Sequence, residues 1–149
     1  MIIRLAHPNE HNTVRDLVRT AYAKWVPILG REPMPMTADY QALIADGYVH
    51  VMLDGEVICG VLVLMIEPDH LLLDNIAVHP SWQRRGLGDD LLSFVEAFAT
   101  QHQRDEIRLY TNALMISNIN YYLKHGYHET HRETTPIYTR VYMSKPLDA

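Results

Sequence analysis

The chain has 149 residues, of which 48% are hydrophobic and 21% are charged, as expected for one ordinary globular domain. Thirteen Lys and Arg residues against eighteen Asp and Glu residues leave a net charge of −5, which argues against a general nucleic-acid coat or a polybasic membrane anchor. The single cysteine, Cys59, excludes an intrachain disulfide and suits a reducing compartment. The longest apolar run, residues 61–66, is too short to span a bilayer, and no signal peptide is expected. We therefore expect a cytoplasmic protein without nucleic-acid or membrane partners.

The pattern of apolar residues predicts seven strands and four helices. Apolar residues that recur at steps of three and four indicate helices, and short apolar runs between turn residues indicate strands. In chain order the predicted elements are strand 2–5, helix 14–26, helix 39–45, strands 48–53, 56–66 and 69–78, helix 87–98, strand 107–111, helix 117–125, and strands 127–132 and 137–143. Only the two strand–helix–strand crossings require parallel neighbours. The predicted fold class is α/β (α+β), with a mixed, largely antiparallel central sheet flanked by helices.

Prolines and glycines predict where these elements break. Pro27 is expected to stop the first helix, and the proline-rich segment 30–36 is expected to be irregular, because proline lacks an N–H group and has a fixed φ. Asp54-Gly55 is typical of a two-residue hairpin turn between the apolar runs on either side.

The segment 74–88 carries the strongest chemical signal. A strand ends, the chain turns, and Gly86 and Gly88 lie where a long helix is predicted to begin. Free amides at a helix N-terminus bind phosphates, and Arg84 and Arg85 add positive charge at the same turn. No Lys-Ser/Thr pair follows the glycines, so the segment is not a P-loop, and a single Gly-x-Gly is not a dinucleotide fingerprint. The simpler alternative is an ordinary glycine-containing loop.

Two motifs resemble those of the GCN5-related N-acetyltransferase (GNAT) family. Ile76-Ala77-Val78-His79-Pro80 followed by Gln83-Arg84-Arg85-Gly86-Leu87-Gly88 is similar to the first, and the segment Tyr122-Leu123-Lys124-His125-Gly126-Tyr127 to the second. The predicted element order also fits the GNAT fold, so the resemblance covers essentially the whole chain, as one domain over residues 1–149. It implies transfer of an acetyl group from acetyl-CoA to an amine.

The resemblance also implies a cofactor site. Backbone groups of Ile76, Ala77 and Val78 are expected to contact the thioester and the pantetheine arm, in a gap where their strand splays from strand 107–111. The residues implied for the pyrophosphate loop are Arg84, Arg85, Gly86, Leu87, Gly88 and Asp89.

The sequence departs from the family pattern in two respects. Asp89 and Asp90 stand where relatives often have a basic residue, which predicts a modest affinity for CoA. Met115 replaces a common asparagine. Asn118, near the start of the short helix, is expected to cap that helix, to bond the pantetheine arm, or both.

The transfer needs a proton donor for the leaving thiolate and a route for the proton that the amine loses. The resemblance implies Tyr122 as the acid, although it also lies on an apolar helix face and could simply fill the core. Asp74 is the candidate base or amine anchor, or else a structural carboxylate with its own partners. In a regular strand it shares a face with Ile76 and Val78.

Other routes for that proton also remain. His79 is a weaker candidate base, because a residue before proline at a strand end usually only forms the turn. Some relatives carry a glutamate on the next strand, but the corresponding position here is Tyr110. A water chain without a dedicated base is the remaining possibility.

The resemblance implies that the acceptor lies near the loop 30–36. Arg31 in this loop is a candidate anchor for a carboxylate of the acceptor, or else a solvated loop residue. A small-molecule amine is the first expectation, and a protein N-terminus or lysine is the alternative. A module that binds CoA without turnover is the rival from another class.

Assembly and metal binding leave weaker signals. The resemblance makes a homodimer possible, with the C-terminal strand 137–143 at its interface. No metal site is expected, because His125, His128 and His131 cross a helix end, a glycine and a strand and need not converge.

Overall fold

The computed structural model of the protein describes residues 1–148. A single seven-stranded sheet runs through this part of the chain. Its strands are β1 (Ile2–Leu5), β2 (Val49–Asp54), β3 (Val57–Ile66), β4 (Leu71–Val78), β5 (Glu106–Asn112), β6 (His128–Thr134) and β7 (Thr139–Pro146). The spatial order is β1-β2-β3-β4-β5-β7-β6, and every neighbouring pair is antiparallel except β4 and β5. The predicted fold class, a mixed and largely antiparallel sheet flanked by helices, is confirmed.

Helices cover both faces of the sheet and create two apolar cores. They are α1 (His11–Tyr22), α2 (Val26–Leu29), α3 (Tyr40–Ala45), α4 (Leu87–Gln101) and α5 (Ile116–Lys124). Apolar residues of α4, among them Leu91 and Val95, pack in the larger core, which also takes Tyr122 of α5. Val14, Leu17 and Val18 of α1 pack with α3 in the other. The sheet therefore lies between two layers of helices.

The prolines act differently from the sequence prediction. Pro27 does not stop the first helix: α1 ends at Tyr22, a turn of 3-10 helix follows, and Pro27 lies in the first turn of α2. Proline is tolerated at such a position, because an N–H group in the first turn of a helix has no acceptor within the helix. The helical segment ends at Gly30, with a φ of 74°. The segment 30–36 is also not wholly irregular, because it ends in a turn of 3-10 helix.

The hairpin between β2 and β3 is shifted by one residue. Asp54 pairs with Val57, so the turn residues are Gly55 and Glu56 instead of the predicted Asp54-Gly55. Gly55 has a φ of 61°, a backbone conformation that favours glycine.

Strand β4 carries two irregularities. It pairs with β5 only at Leu71–Ile107 and Leu72–Arg108, and beyond these two pairs the strands diverge. Opposite β3, Asn75 pairs with Val63 and Leu73 pairs with Leu64, so Asp74 is the extra residue of a β-bulge.

The bulge reverses the alternation of side chains along β4. Ile76 and Val78 pack against the core under α4. Asp74 instead contacts Tyr110, whose neighbour Leu109 points into that core. The expectation that Asp74 shares a face with Ile76 and Val78 is therefore wrong, because the extra residue turns its carboxylate to the α1 side of the sheet.

The last two strands also refine the prediction. They form the predicted antiparallel pair, but the crossing from β5 through α5 leads to β6, which is separated from β5 by β7. Strand β7 is hydrogen-bonded along both edges, to β5 and to β6. The segment 137–143, suggested above for a dimer interface, therefore offers no free strand edge; β6 is the outer strand.

Candidate active site

The divergence of β4 from β5 opens two adjoining cavities. The first, of about 330 Å³, lies against the N-terminus of α4 and is called the helix cavity. The second, of about 570 Å³, lies under the segment 29–38 and is called the loop cavity. Both are lined by Tyr22, Ile76, Asn118 and Tyr122. A ligand in one cavity therefore meets a ligand in the other at these four side chains.

The helix cavity has the features of an anion site. Ile76, Ala77 and Val78 form one wall, and the turn before α4 forms another. Gly86 caps α4 with a φ of 77° and no side-chain hydrogen bond, so the amides of the first turn stay open to a ligand. Arg84, with a φ of 66°, contributes a left-handed residue to the same turn.

The residues predicted for the pyrophosphate loop do not all line the helix cavity. Arg84, Gly86, Leu87, Gly88 and Asp89 line it. Arg85 does not; its guanidinium lies 5.9 Å from the ring centre of Trp82 instead. Arg85 therefore adds positive charge near the loop, but its side chain does not form part of the cavity wall.

Gly88 and Asp89 are both tied to α5. A Cβ atom added at Gly88 would stand 2.6 Å from the hydroxyl oxygen of Tyr121, too close for any real contact. That hydroxyl donates a hydrogen bond of 2.8 Å to Oδ1 of Asp89, and Nε2 of His125 lies 2.9 Å from the same oxygen. The hydrogen bond from Tyr121 lowers the pKa of Asp89. The carboxylate that was expected to weaken phosphate binding is thus held against α5.

Tyr122 lies where the two cavities meet. It is buried in the core with its ring 5.7 Å from that of Tyr127, and it still lines both cavities. Burial alone raises the pKa of its hydroxyl, so Tyr122 keeps its proton at neutral pH. The two interpretations of Tyr122, proton donor and core residue, are therefore compatible.

Asp74 lies in the wall of the loop cavity and is partly buried. Burial raises the pKa of its carboxyl, and a weak hydrogen bond from Tyr110, at 3.4 Å, together with the charge of Arg140, opposes that rise. A raised pKa makes Asp74 a stronger base than an ordinary aspartate.

A chain of hydrogen bonds fixes the bulge on the α1 side. Tyr22 donates to the amide oxygen of Asn75 at 2.7 Å, and the amide nitrogen of Asn75 donates to the hydroxyl of Tyr40 at 3.1 Å. Tyr40 donates onward to the carbonyl of Pro35 at 2.5 Å. The bulge that sets the position of Asp74 is thus bonded to the proline loop.

The loop cavity contains two arginines, of which the sequence indicated only one. Arg31 lies in the wall with its guanidinium 5.3 Å from the ring centre of Tyr138. Arg140 of β7 lies 4.3 Å from the ring centre of Tyr110 and 5.1 Å from that of Tyr138. Neither Arg140 nor Tyr138 belongs to a recognisable motif, and only strand pairing brings them to the cavity.

Two other predicted residues behave differently. Asn118 is the third residue of α5, whose cap is Met115, so the expectation that it caps the helix is wrong, although it does line both cavities. His79 accepts a hydrogen bond from the amide of Ser81 at 3.1 Å, as a turn-forming residue does.

Residues 1–148 contain no group of three or more His, Cys, Asp or Glu side chains arranged to hold a metal ion. None of the helices described is long and apolar enough to cross a membrane.

Comparison with known proteins identifies the family. The family model described as an acetyltransferase (GNAT) domain matches residues 45–129, more than half of the chain. The chain therefore belongs to the GNAT acetyltransferase family, as its motifs indicated. No curated protein matches it by sequence.

Solved structures share the fold over nearly the whole chain. PaiA N-acetyltransferase from Thermoplasma acidophilum, solved with coenzyme A, has a TM-score of 0.83 at 16% identity and covers 97% of this chain and 98% of its own. The ribosomal-protein-S18-alanine N-acetyltransferase from Escherichia coli has a TM-score of 0.79 at 17% identity, with coverages of 99% and 94%. Naa20 from Chaetomium thermophilum, solved with a bisubstrate analogue, has a TM-score of 0.73 at 16% identity, with coverages of 99% and 87%.

Proposed function

We propose that the protein transfers the acetyl group of acetyl-CoA to the primary amine of a small molecule, by direct attack in a ternary complex. One observation carries the proposal: the gap between β4 and β5 connects an open helix N-terminus to a buried tyrosine and a partly buried aspartate. In this proposal the helix cavity takes acetyl-CoA and the loop cavity takes the amine.

The chemistry of the helix cavity supports the cofactor. The open amides of the first turn of α4 and the side chain of Arg84 suit a pyrophosphate. The edge of β4 beyond Leu72 has no strand partner on the β5 side, so its backbone groups are available to the amide groups of a pantetheine arm. Asn118 adds a side-chain amide at the inner end of the cavity.

The transfer itself then follows from the residues around the thioester. The nitrogen lone pair of the amine attacks the acetyl carbon, and the C–S bond breaks as the N–C bond forms. Asp74 takes the proton that the amine loses, directly or through water, and Tyr122 gives its hydroxyl proton to the leaving thiolate. The proton held by Asp74 returns through solvent to the tyrosinate, which restores both residues.

The walls of the loop cavity support a small acceptor. The segment 29–38 covers this cavity, and the hydrogen bond from Tyr40 to Pro35 fixes it there. Proline fixes φ, so the segment is also stiff. A cavity volume of about 570 Å³ is in the range of sites that take a metabolite-sized ligand.

The decisive experiment measures release of free CoA thiol from acetyl-CoA with a panel of amines, in the wild type and in Tyr122→Phe. We expect kcat to fall about 100-fold or more, because general acid catalysis contributes about 10²–10⁴, while the affinity for CoA stays unchanged. Tyr127→Phe is the matched control, because its hydroxyl is also buried, has no hydrogen-bond partner and lies outside both cavities.

Full turnover by Tyr122→Phe would exclude it as the acid. Asp74→Asn should also lose kcat, since an amide cannot take the proton, and wild-type rates in that variant would point to a water chain. If calorimetry shows that CoA binds, but no amine causes release of free CoA thiol from acetyl-CoA, the protein is a CoA-binding module.

A further inference from the structure

Two arginines in the wall of the loop cavity have no ion-pair partner among residues 1–148. Arg31 and Arg140 both line it, and among residues 1–148 no carboxylate forms an ion pair with either. Glu32, also in the wall, is paired with Arg19 at 2.8 Å. Of the other arginines, Arg4, Arg15, Arg19, Arg108 and Arg132 form an ion pair with a carboxylate, and Arg84, Arg85 and Arg104 form none among residues 1–148.

Arg140 has no carboxylate acceptor among residues 1–148; its side-chain contacts are with Met34 and with the tyrosines around it. Its Nη2 lies 3.3 Å from the sulfur of Met34, and a thioether is a weak acceptor. The guanidinium instead packs against Tyr110 and Tyr138, and cation–π contacts hold its plane without using its N–H groups. Arg31 lies over the same Tyr138 ring, 5.3 Å from its centre.

Tyr110 connects these arginines to the proposed base. Its ring lies under Arg140 at 4.3 Å, and its hydroxyl lies 3.4 Å from Oδ1 of Asp74. One aromatic side chain thus separates a positive group without an ion-pair partner from a negative group that suits an amine. These two groups lie within the length of one small molecule.

We propose that Arg140 and Arg31 form a carboxylate-binding subsite, and that the acceptor is an amine that carries a carboxylate, of the free amino acid type. The inference depends on the proposed function and specifies its substrate class. The carboxylate binds at the two guanidinium groups, where a planar bidentate contact is available, and the amine lies toward Asp74 and the thioester. A peptide N-terminus, whose next group is a neutral amide, leaves this subsite empty.

The test compares the twenty common amino acids with their C-terminal amides as acceptors, together with simple amines that lack a carboxylate. The measured quantity is the ratio of kcat/KM for an acid to that for its amide, in the wild type and in Arg140→Gln. Comparing the ratio between the two enzymes cancels the different basicity of the two amines. We expect the ratio to fall about ten- to hundredfold in the variant, the range for a hydrogen bond to a charged group.

Further variants separate binding from folding. Arg31→Gln should lower the ratio as well. Arg140→Lys should give a ratio between those of Arg140→Gln and the wild type, because lysine keeps the positive charge but lacks the planar, paired N–H donors of arginine. Arg132→Gln is the matched control: Arg132 lies on the outer strand β6, pairs with Glu129, and does not line the cavity. Its ratio should equal that of the wild type.

The outcomes are distinct. A preference for the acids that disappears in Arg140→Gln supports the subsite. Amides or carboxylate-free amines that react as well as the acids overturn it, while the proposed acetyl transfer stands. Absence of CoA release with every amine overturns both.

Discussion

Replacement of Gly88 by alanine tests whether Tyr121 fixes the turn before α4. The added Cβ would lie 2.6 Å from the Tyr121 hydroxyl oxygen but 3.4 Å from the ring carbon that carries it. In Gly88→Ala the hydroxyl must therefore move, and it loses its 2.8 Å hydrogen bond to Asp89. In the double variant Gly88→Ala/Tyr121→Phe the clashing atom is gone and the alanine fits.

Two opposing terms set the size of the effect. Alanine in place of glycine stabilises a helix by roughly 1 kcal/mol, and the lost hydrogen bond to the exposed Asp89 carboxylate offsets that gain. We therefore expect Gly88→Ala to leave the free energy of unfolding nearly unchanged. In the Tyr121→Phe background the same substitution should raise it by about 1 kcal/mol.

Urea denaturation of the wild type, both single variants and the double variant gives the coupling energy directly, which should be about 1 kcal/mol. Equal stabilisation by alanine in both backgrounds would refute the steric argument. Calorimetric titration with CoA completes the test, because displacement of Tyr121 releases Asp89 toward the open amides. The affinity should fall in Gly88→Ala.

Two further predictions concern pH. Bonds from Arg4 and from the amide of His7 lower the pKa of Glu10 from 4.5 to about 2, so its stabilising effect is complete above pH 4.5 and is lost as the pH falls toward 2. Glu10→Gln should lower the free energy of unfolding by about 1–2 kcal/mol at pH 7, with solvent screening allowed for. In urea titrations this difference should shrink below pH 4.5, and a constant difference would contradict the assignment. Burial lowers the pKa of His50 from 6.5, and its Nδ1 has no hydrogen-bond partner, so stability should fall as the pH drops below 6.5, by at most about 1.4 kcal/mol per pH unit. Histidine titrates between roughly pH 7.5 and 5. Over that range, thermal melts of His50→Leu should show a smaller loss of stability than those of the wild type. An equal loss in the variant would assign the pH dependence to other groups.

The sequence predicted those parts of the molecule that depend on local patterns. Apolar periodicity placed each of the strands and the long helices, and the glycine motif placed the turn before α4. Gly86 is explained by its own backbone, which has a positive φ. Gly88 is required for a different reason, because Tyr121 of another helix approaches it closely. No local sequence pattern contains that contact.

The candidate site was less predictable, because it depends on register. A single extra residue at Asp74 turned its carboxylate to the opposite face of the sheet, and β-bulges leave no reliable mark in a sequence. Arg140 reaches the loop cavity only because β7 pairs with β5, which places Arg140 opposite Asn112. Such contacts join residues far apart in the chain, so a pattern read along the chain does not contain them.

The short pairing of β4 with β5 has a mechanical consequence. Two residue pairs, at Leu71 and Leu72, are the only ladder that joins the four-stranded half of the sheet to the three-stranded half within the residues described. Because only this short ladder joins them, the two halves of the sheet can open or close at the far end with little disturbance to the hydrogen bonds within each half. A ligand that bonds to both inner edges would act as a temporary eighth strand. Ligand binding and the rigidity of the whole sheet would then be linked.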